Sequence, residues 1–173
     1  MGRDKATLEV DGVAMAARVA GALRRAGAVH VAAVGGDRPA LEQLGLSVVP
    51  DDEPGEGPLP ATLTALRHAR GDPVVVLSCD LVAPNPEAVA GLVERLAAAA
   101  PDVLGAVPLV DGHPQWTHAA WRRSALAALE AAQRTGARSL RAACADLHLL
   151  YVPDVAPADV ADADHPRDLP GDR

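Results

Sequence analysis

Phenylalanine is absent from this 173-residue sequence, and aromatic residues make up only 2% of it. A core without large rings has to be filled by small and branched aliphatics from packed layers, and Ala and Val dominate a hydrophobic fraction of 49%. That composition suits helices lying on a sheet. Lys, Asn and Ile are scarce beside Ala, Arg, Gly and Pro, the mark of a high-GC coding bias. The two cysteines, Cys79 and Cys144, have neither a metal-ligand nor a redox-pair spacing. They exclude a disulfide framework and read as small buried residues. No run reaches the ~18 to 20 apolar residues of a membrane span, and no apolar stretch follows the first charges, so a cytoplasmic protein is expected. Basic charge is short as well, with 16 Lys and Arg against 23 Asp and Glu and a net charge of −7. Nucleic acids and anionic membranes both reward a basic face, so neither is expected as a partner.

What is present alternates helix and strand across the middle of the chain. Residues 13–26 place Val13, Ala16, Ala17, Ala20 and Leu23 on helical spacing, with Gly27 as the stop. Residues 29–34 read as a strand closed by Gly35, Gly36 and Asp37. A short helix at 39–44, a strand at 46–49, an Asp/Glu/Gly/Pro-rich loop at 51–58 and a helix at 59–70 follow. Residues 74–77, a β-branched run, read as a strand buried on both faces. Residues 86–100 then predict a helix and 103–107 a strand. After Asp111 the pattern is less regular: a polar segment to His118, helices at 121–134 and 139–145, and a strand at 147–152. Such βαβ spacing predicts one α/β domain over residues 1–173 with a mostly parallel sheet covered on both faces.

In open α/β sheets ligands bind beyond the carboxyl ends of the strands. Those ends carry Gly35-Gly36-Asp37, Asp51 and Asp80, and Asp162 and Asp164 follow the last strand. Asp80, at the mouth of a buried strand, either holds Mg²⁺ alongside phosphate oxygens or caps its own loop. Lys5 suits a phosphate or is simply solvated. Gly57-Pro58-Leu59 opens a helix whose first-turn N–H groups suit an anion, or merely turns the chain. Asp162 and Asp164 point the same way in an extended segment and either complete a cation site or form a solvated turn. Gln115 and Trp116 either touch a flat substrate or anchor a helix on the sheet. His30, His68 and His148 read as structural or surface residues. His113, His118 and His165 lie in loops without zinc spacing, and no Ser-His-Asp arrangement stands out.

Four segments in order resemble one family. Met1-Gly2-Arg3-Asp4-Lys5-Ala6 is similar to the second half of the signature Leu-x-Gly-Gly-x-Ser-x-Arg-Met-Gly-x-Asp-Lys of the molybdenum cofactor guanylyltransferases, the MobA-like nucleotidyltransferases. Asp51 with Gly57-Pro58-Leu59 resembles the family's Asp-x5-Gly-Pro-Leu, and Cys79-Asp80-Leu81 its Cys-Asp-Met/Leu-Pro. Asp162-Ala163-Asp164-His165-Pro166-Arg167-Asp168-Leu169 resembles its terminal Asn/Asp-x-Asn/Asp-Thr-Pro-x-Asp-Leu. Departures are Val82 for Pro, Pro60-Ala61 for small residues and His165 for Thr.

The resemblance implies a Rossmann-like three-layer αβα sandwich of the nucleotide-diphospho-sugar transferase type. It implies transfer of GMP from GTP to the terminal phosphate of molybdopterin cofactor with release of pyrophosphate, and cofactor delivery proteins as partners. Lys5 would meet the nucleotide phosphates, Asp80 would hold Mg²⁺ with weaker help from Asp162 and Asp164, and Asp51 would accept from guanine. Gly36 or Asp37 would add a base-side contact, and Gly57, Pro58 and Leu59 would line the nucleotide. The alternatives are a CTP-using or other small-molecule nucleotidyltransferase, or a nucleotide-binding relic with impaired catalysis. Set against the family signature the chain reads as N-terminally truncated, without its first strand and Gly-Gly-x-Ser-x-Arg loop. A gap in the middle of the sheet, exposing apolar edges, is the expected consequence, with lower stability and solubility than a chain that has strand and loop restored.

Overall fold

The structure is a computed structural model and describes residues 5–163. A 3-10 turn at Lys5–Thr7 leads into a small antiparallel hairpin of β1 (Glu9–Val10) and β2 (Val13–Ala14). Asp11 and Gly12 form its turn with positive φ values of 53° and 74°, the conformation that two-residue hairpins require. Helix α1 (Met15–Arg25) buries Met15, Ala16, Val19, Ala20 and Ala22 on one stripe. It stops as its sequence foretells: Gly27 takes φ 97°, and the N–H groups of Gly27 and Ala28 donate to the carbonyls of Arg24 and Leu23. Such a glycine-terminated cap satisfies the last carbonyls of a helix.

A βαβ unit follows, in which β3 (Ala32–Val34) and β4 (Ser47–Val49) pair in parallel around α2 (Arg38–Gln43). Helix α3 (Pro58–His68) leads to β5 (Val74–Leu77), and α4 (Pro86–Ala98) leads to β6 (Gly105–Val110). The chain then reverses through β7 (His113–Pro114) into β8 (His118–Trp121), runs through α5 (Ala125–Arg134) and α6 (Leu140–Ala143), and closes the sheet with β9 (Leu149–Val152). Leu59, Leu63, Leu66, Trp121 and Leu129 form the core on the α3, α5 and α6 face. Leu92 and Leu96 of α4 pack with Ala106 and Ala120 on the other face. Helix, sheet and helix thus make three layers.

The sheet corrects the expectation of a mostly parallel arrangement. Among the described residues only β3 with β4 and β6 with β9 pair in parallel. The cause is β8, which lies antiparallel between β5 and β6. β5, β6 and β9 consequently share one direction although two of their contacts pass through a reversed strand. The sequence reading missed β8, placing His118 in a polar loop and a helix at Trp121. His118-Ala-Ala-Trp121 is buried along its whole length, so it lacks the alternation that marks a half-buried strand.

Trp121 sets a local constraint on β6. A Cβ added at Gly105 would stand 2.7 Å from Trp121 Cε3, closer than packed atoms tolerate. Gly105→Ala is therefore expected to cost about 1–3 kcal/mol, the usual range for overpacking, read as a lower denaturant midpoint at unchanged slope.

The two parallel strands and the five-stranded sheet are separate among the described residues. A cavity of about 310 Å³ lies between β3 and β5, lined by Ala16 and Ala20 of α1, Ala61 and Ala65 of α3, and the facing strand residues Ala33 and Val76. All four residues of β5 are only half-buried, unlike the fully buried strand expected from its composition. No helix among the described residues is long and apolar enough to cross a membrane.

Candidate active site

The carboxyl ends of β3, β4 and β5 carry the residues that sequence chemistry singled out. Beyond β3, Gly35 and Gly36 adopt φ values of 68° and 81°. Gly35 donates its N–H to the Val49 carbonyl at 2.9 Å, and a Cβ there would lie 3.2 Å from Asp51 Cβ. Glycine thus lets the turn after β3 close against the residue that follows β4. Asp51 is half-buried, and its Oδ1 accepts from the Glu53 N–H at 3.1 Å, an Asx turn that aims the carboxylate. Asp37 has a different task. It caps α2 by accepting from the Ala40 N–H at 3.1 Å, so Gly36 is the better candidate of the two for a base-side contact.

The loop from Asp51 runs to Gly57, whose φ of 95° and ψ of −167° are accessible to glycine at little cost. Pro58 then starts α3. Pro58 and Pro60 have no N–H and Ala61 donates to the Gly57 carbonyl at 3.5 Å, which leaves the first three helical positions one N–H, that of Leu59. The anion site expected here is correspondingly small.

At the end of β5, Asp80 is bonded through both carboxylate oxygens. Lys5, the only lysine in the sequence, donates to Oδ2 at 3.1 Å, and the Ser78 hydroxyl donates to Oδ1. The Asp80 side chain is 14% exposed. Burial pushes its carboxyl pKa up, but the hydrogen bonds from Ser78 and Lys5 and the lysine charge together outweigh burial and hold it below the usual carboxylate range. Ser78 escaped the sequence reading. A serine two residues before an aspartate is too common a pattern to signal a partner.

The last described residues return to this point. Leu81 and Asp162 form an antiparallel bridge, the Ala163 N–H donates to the Asp80 carbonyl at 2.9 Å, and the Val82 N–H donates to that of Ala161 at 3.0 Å. Asp162 therefore stands beside the Asp80 turn. Its Oδ1 lies 3.4 Å from Nε2 of His118, a residue buried in β8 rather than exposed in a loop. Asp164 and His165 lie outside the described residues.

The arrangement fits a divalent cation held through one carboxylate, the mode in which Mg²⁺ keeps its waters and shares phosphate oxygens. Among the described residues no group of three or more His, Cys, Asp or Glu forms an all-protein cage. Asp80 is ionised and paired with the Lys5 amine on Oδ2, so a divalent cation at this carboxylate would take the place of that amine and leave Lys5 for a phosphate.

Residues 1–149 match the family model of the MobA-like NTP transferase domain. The probable molybdenum cofactor guanylyltransferase of Pelotomaculum thermopropionicum is 36% identical over 134 residues, 78% of this chain and 63% of that protein. The match therefore spans just under two thirds of the relative's length. Among solved structures, the molybdopterin-guanine dinucleotide biosynthesis protein A of Archaeoglobus fulgidus superposes with a TM-score of 0.76 at 24% identity, covering 96% of this chain and 87% of that one. The 2-C-methyl-D-erythritol 4-phosphate cytidylyltransferase of Thermus thermophilus superposes with a TM-score of 0.73 at 19% identity, covering 95% and 89%. At these identities the two structures share the fold and no more.

Proposed function

The chain belongs to the MobA-like NTP transferase family, and from that premise we propose that it transfers GMP from GTP to the terminal phosphate of molybdopterin cofactor, releasing pyrophosphate. The observation that carries this reading is that Gly35-Gly36, Asp51 and the Lys5–Asp80 pair lie at the carboxyl ends of β3, β4 and β5, about the cavity that Gly35, Gly36 and Cys79 line. Asp51 offers guanine two acceptor oxygens, one for the ring N–H and one for the exocyclic amine. Gly36 leaves room for the base to approach the backbone. Lys5 contributes a point charge for the phosphates.

The acceptor is itself a phosphate with a second pKa of about 6, so near neutral pH it is largely ionised and no strong general base is required. An acceptor oxygen attacks the α-phosphorus, the bond from that phosphorus to the bridging oxygen breaks, and pyrophosphate carries the electron pair away. Asp80 would hold Mg²⁺, which when bound would supply charge neutralisation on the phosphate oxygens. Positioning and preorganised charge then account for most of the rate, as in other phosphoryl transfers. A cytoplasmic location follows from these substrates.

Calorimetry with GTP and with CTP in the presence of Mg²⁺, followed by a pyrophosphate-release assay with the cofactor acceptor, tests the proposal. GTP is expected to bind in preference to CTP and to be turned over. Binding of CTP with no GTP signal overturns the guanylyl assignment, and tight GTP binding without pyrophosphate release reduces the activity to nucleotide binding.

A further inference from the structure

The Asp51 loop is tied down from outside the site. Arg67, in the last turn of α3, donates through Nη1 to Asp52 Oδ2 at 2.8 Å, and through Nε to Glu130 Oε1 of α5 at 2.9 Å. The neighbouring residue of the loop is held by the same helix, with Gln133 Nε2 donating to Glu53 Oε1 at 3.1 Å. Thr64, fully buried in α3, accepts the Asp52 N–H at 3.3 Å. The Arg67 hydrogen bond, as the leading cause, holds the Asp52 carboxyl below its usual pKa, and bonds to Asp52 and Glu130 raise that of Arg67. Three consecutive residues, Asp51 to Glu53, are thus fixed within a loop that continues through Gly55 and Gly57, both at positive φ. Without those ties a stretch so rich in glycine would sample many conformations.

We infer that Arg67 is a positioning residue for base recognition: by bridging Asp52 to Glu130 it holds the Asp51 carboxylate in register with the Gly35-Gly36 turn. The inference rests on the reading of Asp51 as the guanine contact. Arg67 acts through Asp52, its hydrogen-bond partner in the loop. Surface ion pairs of this exposure, with the arginine side chain 34% accessible, contribute little to stability, so the larger consequence of the bridge is where it holds Asp51. Arginine suits the task because its planar fork reaches two carboxylates in a fixed geometry, which a lysine does not.

The experiment compares wild type, Arg67→Gln, Arg67→Lys and Glu130→Gln by calorimetry with GTP, with ATP, and with inorganic triphosphate as a probe of the phosphate subsite. A mispositioned two-point contact to a base is worth about tenfold in discrimination, so the GTP-over-ATP preference is expected to fall by about that factor in both Arg67 variants. A smaller fall is expected in Glu130→Gln, and triphosphate affinity should not change in any variant. An unchanged GTP preference in Arg67→Gln, whatever its melting temperature, overturns the inference and leaves Arg67 as a tie between helices. The parent reading fails separately, on the wild type, by showing no preference for GTP over ATP.

Discussion

Asp80→Asn is expected to lower pyrophosphate release by about 10²–10³-fold, the usual loss when one preorganised electrostatic group is removed from a transferase site. The substitution keeps the side chain's size and its capacity to accept from Ser78, but it removes the charge that faces Lys5 Nζ at 3.1 Å. A divalent cation would lose its anionic ligand by the same change, so raising Mg²⁺ should recover part of the rate. A structural role predicts a different outcome. Asp80 has a folded-state pKa below the usual value, so its contribution to stability is present above about pH 4 and is lost as pH falls through the lowered value. Denaturation curves of wild type and Asp80→Asn should therefore converge under acid conditions and differ near neutrality. Turnover that survives Asp80→Asn near neutral pH removes Asp80 from the chemistry, even if the stability difference is seen.

Legibility followed burial and local pattern. The glycine stop of α1, the end of β5 at Asp80 and the turns at Gly35-Gly36 and Gly57 were readable because each is set by local backbone requirements. The partners of these residues were not. Ser78 on Asp80, Thr64 on Asp52 and Arg67 on Glu130 depend on which elements the fold brings together, and spacing in the chain carries no record of that. His118 shows both limits at once. Its strand is too short and too apolar to display a period, and its neighbour Asp162 lies 44 positions later in the sequence.

The direction of the sheet was half legible for a related reason. Alternating helices and strands correctly indicated β3, β4, β5, β6 and β9, which come from βαβ-like spacing. Nothing in that alternation announces a strand such as β8 that arrives by a reversal through Asp111 and Gly112, at φ 50° and 77°. The Asp-Gly pair is nonetheless a hairpin signal, the same pair that turns β1 into β2 at Asp11 and Gly12.

An extended β-branched segment of about six residues, fused ahead of Met1 through a short glycine turn, is expected to raise the melting temperature. Among the described residues β3 and β5 both present unpaired edges toward the cavity of about 310 Å³, and such edges are stabilised by pairing. Small side chains line it above and below, Ala16 and Ala20 from α1 and Ala61 and Ala65 from α3, leaving room for Val or Ile on a central strand. Ala6 and Cys79 also line this space, and their neighbours Lys5 and Asp80 are hydrogen-bonded to each other, so a strand parallel to β5 would finish where the described chain starts. Burying each β-branched side chain gains about 1.5–3 kcal/mol, and ordering each added residue costs about 1–2 kcal/mol. A net gain of about 2 kcal/mol corresponds to about 4–8 °C for a chain of this length. The same fusion with two prolines in the segment cannot pair along both edges and serves as the control. Slower hydrogen exchange at the β3 and β5 amides should accompany the gain, and equal melting temperatures for the two fusions would show that the cavity does not take a strand.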